Sequence, residues 1–134
     1  MSRFLDKAKI LRAPTPPANC AQSVIIPFAQ EAGLSEELAA KLTSHFKLGM
    51  RCGGVCGAVT GALMVLGLYG LDEGVIASQL YQRVRDNHQG HLNCPDLLQD
   101  CQASGCPQRQ HCDGMVFECV GHVEELLKEH ELIQ

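Results

Sequence analysis

Eight cysteines stand in a chain of 134 residues, and they are the side chains with most chemistry to offer. A thiolate ligates metals and attacks disulfides; a neutral thiol does neither well. Three of the eight sit at signals for a helix start. Cys20 follows the cap residue Asn19, Cys56 precedes an apolar run, and Cys94 stands between Asn93 and Pro95. Unpaired amides and the macrodipole favour a thiolate at such a position. A single cysteine of this kind is usually a small buried hydrophobe, but three in one short chain point to function.

Spacing adds a geometric expectation. Cys94 and Cys101 are seven residues apart, as are Cys112 and Cys119. Seven residues is about two helical turns, so each pair shares a face. An antiparallel hairpin about the Ser104–Gln110 loop would set Cys101 opposite Cys112, Cys94 opposite Cys119, and Cys106 at the tip. Cys94 and Cys119 then point to the deep end, where Cys20 and Cys56 can join them. Four converging cysteinates suit an iron–sulfur cluster or a tetrahedral zinc. The same four could instead form dithiol/disulfide pairs with no metal, Cys56 attacking and Cys94 or Cys119 resolving. Cys52, Cys101, Cys106 and Cys112 are auxiliary candidates, the last three for a regulatory disulfide near the loop. His122, three residues after Cys119, could serve as proton partner or fourth ligand, though such a histidine is more often a surface residue.

Several alternatives are excluded by what is missing. There is no C-x-x-C and no C-x-x-C-H, which disfavours a thioredoxin-like site and c-type haem. The glycine-rich stretch Gly49–Gly57 lacks the residues of a P-loop or dinucleotide fingerprint. A net charge of −4, 4% aromatic residues and no Trp leave neither a basic stripe nor stacking platforms for nucleic acid. The longest apolar stretch, Val55 to Leu71, is broken by glycines and short for a membrane span. The segment Met1–Lys7 shows no export signal, so a cytoplasmic location is expected. The cytosol keeps thiols reduced, which turns many cysteines towards metal or redox roles.

These residues must be held by helices, since no strand pattern is present. Residues 1–18 read as an arm or linker, a short helix at most, ending in Ala13-Pro14-Thr15-Pro16-Pro17. Residues 19–134 read as one cysteine-rich all-α domain. Asn19 caps a helix over 20–32, Ser35 caps one to about Phe46, and Ala58–Leu68 is apolar nearly all round, a buried central helix ended by Gly70, in which the small residues Gly57, Gly61 and Gly67 permit tight crossings. Helices over 75–87, 94–103 and 112–132 follow. The expected fold is a compact bundle of five or six helices around the Gly/Ala-rich one.

Cys56-Gly57-Ala58-Val59-Thr60-Gly61-Ala62-Leu63, with Asn19-Cys20-Ala21-Gln22-Ser23-Val24 before it, resembles the family of redox-active proteins named for its C…GCAxxG…C…C pattern. The resemblance spans about residues 18–127. It implies that the family's four cysteines fall on Cys20, Cys56, Cys94 and Cys119, and that the protein is redox-active or binds a prosthetic group. A similar module is implied in split-Soret-type cytochromes. Three functions follow as expectations. The first is electron transfer through an iron–sulfur or other metal centre, with a redox partner protein. The second is a metal-free thiol–disulfide oxidoreductase or sensor. The third is a zinc- or disulfide-stapled helical module, for which the apolar helix would suit a homodimer.

Overall fold

Polar caps and glycines cut the chain into its helices. Asn19 Oδ1 accepts from the Gln22 amide at 2.8 Å, and the Asn19 amide donates back to Gln22 Oε1 at 2.9 Å, a reciprocal box that starts a helix at Cys20. Ser35 Oγ accepts from the Leu38 amide at 3.1 Å and starts the next. The computed structural model describes residues 2–134, and among these it contains seven α-helices and no named strand. They are α1 (Arg3–Arg12), α2 (Cys20–Ala29), α3 (Glu36–Leu42), α4 (Gly57–Leu68), α5 (Gly74–Asn87), α6 (Cys94–Ala103) and α7 (Gln108–Glu129). Among the described residues no helix is long and apolar enough to cross a membrane.

Residues 3–12 are a packed helix, not an arm. Phe4 and Ala8 are buried, and the Phe4 ring stacks on Phe28 of α2 with centroids 4.2 Å apart. The apolar run 57–68 is buried along Ala58, Val59, Ala62, Val65 and Leu66, but Leu63 and Met64 are half-buried and Leu68 is exposed. It therefore lies in the core on one side only. The central position is shared by α2, which packs on α1, α3, α4 and α7. An all-apolar composition does not distinguish a helix covered on every side from one whose outer strip is small and greasy.

Among the described residues α2 and α4 share the most extensive helix contact, for a reason visible in the glycines. A β-carbon on Gly61 would sit 2.9 Å from the Ala21 carbonyl oxygen and 3.1 Å from Ala21 Cα. A β-carbon on Gly57 would collide with the Phe46 carbonyl and lie 3.2 Å from Cys20 Cβ. Gly67, expected to serve the same purpose, has nothing within 4 Å and is exposed. Between α3 and α4 the chain turns through Gly49–Gly53, with left-handed backbone at Leu48, Gly49, Met50, Arg51 and Gly53.

The two glycines make a matched test. Gly61→Ala is expected to cost about 1–3 kcal/mol of unfolding free energy by forcing two backbones apart. Gly67→Ala is expected to be neutral or to gain up to about 1 kcal/mol from helix propensity. Urea unfolding of both variants checks this; equal effects would contradict the close crossing.

Candidate functional site

Three helices begin side by side at one end of the molecule. The segments entering α4 and α6 pair as an isolated antiparallel bridge between Val55 and Asn93. The Cys56 amide donates to Leu92 O and the Cys94 amide to Gly54 O, both at 2.9 Å. One residue further on, each segment turns into its helix, so Cys56 caps α4 and Cys94 opens α6. The side-chain-free face of Gly57 then admits the start of α2, bringing Cys20 against α4. Asn19 Nδ2 donates to Thr43 O at 2.9 Å, which fixes α2 to the end of α3.

The fourth wall is α7. Its second turn carries Cys112, whose thiol lies against that of Cys20. Buried Arg12 ties the walls together. Its Nε donates to Asp113 Oδ1 and its guanidinium to Ala18 O, each at 2.6 Å. Arg109 reaches back from α7 to the carbonyls of Ala13 and Pro14, at 3.2 and 2.7 Å. The result is an open cleft of about 290 Å3 faced by Cys20, Cys56, Cys94 and Cys112. Arg12, Lys47 and His111 also line it, and among the described residues no carboxylate does, although the chain as a whole carries a charge of −4.

The four thiols differ in how readily they ionise. Cys112 is lowered to about 7: the hydrogen bond from Cys20 favours its thiolate most, and Arg12 adds to that against the cost of burial. Cys20 is raised by the same hydrogen bond, which holds its proton, and by burial. The two behave as a pair, in which one proton leaves easily and the second does not. Burial pushes Cys56 up to about 11 even though the amides of Ala58 and Val59 at the start of α4 pull it down. Cys94 is raised by burial and by proximity to Cys112. Without a cation, the cleft holds mostly neutral thiols and one acidic one.

The remaining candidates are distributed elsewhere. Cys119 is fully buried, in electrostatic range of Cys56 but outside the cleft lining. The expected hairpin register does not form. α7 begins at Gln108, packs chiefly on α1, α2 and α4, and touches α6 only lightly. Cys94 accordingly lies towards Cys112, not Cys119, and Cys101 is bonded to Cys106, not set against Cys112. Cys52 is exposed on the turn after α3, its sulfur 3.5 Å from Gly49 O. His122 Nε2 is 2.9 Å from Glu118 Oε2, and His88 Nε2 is 2.7 Å from Glu118 Oε1. That network holds Glu118 down to about 2, against the cost of its burial, and occupies His122 as a structural partner. Among the described residues no group of three or more His, Cys, Asp or Glu is close enough to hold a single metal ion.

Sequence reasoning missed Arg12 and ranked Cys112 only as an auxiliary candidate. The apolar stripe of α7 contains the signal: Met115, Val116, Cys119, Val120 and Val123 are buried, and Cys112 stands one turn before them. A stripe residue in mid-helix is sealed between helices, whereas one at the stripe's end faces the open end of the bundle.

Residues 18–126 match the family described as "Putative redox-active protein (C_GCAxxG_C_C)". Neither a curated protein nor a solved structure matches the chain.

On reduced, cofactor-free protein, alkylation of Cys112 by iodoacetamide is expected to rise with a midpoint near pH 7, while Cys56 stays protected until about pH 11. Arg12→Met should move the Cys112 midpoint upward. Mass-spectrometric peptide mapping reads each site; a Cys112 midpoint at the ordinary thiol value of 9.0 would contradict the pairing.

Proposed function

Since the chain belongs to the C_GCAxxG_C_C family of redox-active proteins, we propose that it is an electron-transfer protein holding an iron–sulfur cluster on Cys20, Cys56, Cys94 and Cys112. The observation that carries the reading is the convergence of four cysteines, from four helices far apart in the chain, on one cleft. A dithiol site needs two sulfurs; four thiolates are the usual ligand set of a cluster.

A cluster asks for a different placement of its ligands from a lone ion. A structural zinc needs all its thiolates about 2.3 Å from one point, and no such grouping occurs among the described residues. Cluster thiolates each bind their own iron, so they stand around a volume instead of a point. The charge environment agrees. Four neighbouring thiolates raise one another's pKa, and metal cations relieve that repulsion. When bound, such a group accepts and returns one electron. Around it, the Ala58 and Val59 amides at Cys56 and the Arg12 guanidinium would favour the more negative, reduced state. The apolar wall formed by Met115, Leu48 and the 16–18 segment limits water. A redox partner protein would supply or take the electron.

One observation favours a second reading, a metal-free dithiol centre. Cys20 and Cys112 share a hydrogen bond, and Cys112 is the acidic member. Oxidation would join these two sulfurs, in place of the Cys56 and Cys94 or Cys119 pair expected from helix starts.

Anaerobic purification, or reconstitution with ferrous iron and sulfide, separates the two. The cluster reading expects a brown protein with stoichiometric iron and sulfide. Ser substitution at Cys20, Cys56, Cys94 or Cys112 should abolish or strongly reduce the colour, and Cys119→Ser or Cys52→Ser should keep it. A colourless protein that loses two thiols per oxidation, at Cys20 and Cys112, would replace it with the dithiol reading.

A further inference from the structure

Cys101 and Cys106 lie outside the cleft, and the proposed cluster does not use them. We propose that they form a second redox site, a dithiol/disulfide couple on the α6–α7 loop that exchanges two electrons with an external dithiol.

The local backbone holds the two residues together before any sulfur bond is considered. The Cys106 amide donates to Cys101 O at 3.0 Å, and Gly105, in a left-handed conformation, donates to Gln102 O at 3.0 Å. This pair of bonds is the glycine-terminated end of α6. Ser104 adds its amide, at 3.1 Å, and its hydroxyl, at 2.8 Å, to the same Cys101 carbonyl. The Cα atoms stand 5.3 Å apart, inside the range a disulfide bridges without moving the backbone. The reduced form is provided for as well. A Cys101 thiol has the Cys106 carbonyl at 3.3 Å and the Pro107 carbonyl at 3.8 Å to receive its proton. Both states therefore suit one backbone conformation, and switching between them asks for little rearrangement.

A purely structural staple would be placed differently. Cross-links stabilise most when they close long loops, and this one closes six residues that hydrogen bonds already hold in a turn. Accessibility favours exchange: Cys106 is half-buried in a loop whose neighbours Ser104, Gly105 and Pro107 are exposed, while Cys101 is 7% exposed. An external thiolate attacks the Cys106 sulfur. A reductant–Cys106 bond forms, the Cys101–Cys106 bond breaks, and Cys101 leaves as a thiolate that takes a proton. The reductant's second thiolate then attacks its own sulfur in the mixed disulfide, closes the reductant's disulfide and releases Cys106, which is protonated in turn. Two electrons and two protons pass to the protein.

The test uses the full chain in graded mixtures of reduced and oxidised dithiothreitol, trapped with N-ethylmaleimide and mapped by mass spectrometry. The expected result is the loss of two adducts, both within 101–106, fully restored when the mixture is made reducing again. Cys20→Ser/Cys112→Ser protein should keep this two-thiol step within 101–106 although its cleft is altered, and iron content and colour of the same samples report on the cleft separately. Cys101→Ser/Cys106→Ser should lose this two-thiol step and keep its helical circular dichroism and melting temperature within a few degrees. A disulfide that yields only after unfolding would overturn the proposal as a static staple. So would permanent alkylation of both thiols at every ratio, or oxidation that joins Cys106 to a cleft cysteine.

Discussion

Two glycines on one face of α4 allow the backbone of α2 to lie almost against that of α4, and the cleft depends on this contact. Gly61 sets the depth of the crossing and Gly57 its end, where Cys20 is brought beside the cap residue Cys56. Any side chain at Gly57 would strike the Phe46 carbonyl and crowd Cys20 Cβ. The short bridge between Val55 and Asn93 extends the same principle, since two segments paired through their backbones must start their helices together. The sulfurs of Cys20, Cys56 and Cys94 are thus placed by main-chain contacts, and that of Cys112 by the packing of α7.

Electrostatics then gives those sulfurs different states. Burial in a helix-lined cleft keeps most thiols neutral, and the helix-start amides that were expected to acidify them are outweighed at Cys56. The acidic thiol is Cys112, which begins no helix and owes its state to a hydrogen bond from Cys20 and to Arg12. Arg12 is itself held by Asp113 and Ala18, so the same group that closes the cleft also charges it. Arg12, Lys47 and His111 face the cleft, and Asp113, paired to Arg12, offsets part of that positive charge.

Much of this was readable beforehand. Caps at Asn19 and Ser35 and stops near Gly33, Gly70 and Gly90 act through local hydrogen bonds, so they announce helix ends without knowledge of the fold, and Pro95 marks the start at Asn93, whose side chain makes no cap bond. The roles of Cys20, Cys56 and Cys94 at helix starts were visible for the same reason. What was not visible depended on packing between distant elements. A seven-residue spacing puts Cys112 and Cys119 on one face but says nothing of which neighbour that face meets. α7 meets α1, α2 and α4 in preference to α6, and Cys112 is exchanged for Cys119 at the cleft. Residues 3–12 looked like an arm because the stacking of Phe4 on Phe28 is a contact across 24 residues of chain.

Distance between sulfurs is the property on which the whole account turns, and a thiol-bridging reagent reads it directly. Dibromobimane becomes fluorescent only when both its arms have reacted with neighbouring thiols. Applied to the reduced, metal-free protein and mapped by peptide mass spectrometry, it is expected to join Cys20 of α2 to Cys112 of α7. Bridging of Cys94 to Cys119, or single-arm adducts alone at Cys20 and Cys112, would contradict the cleft.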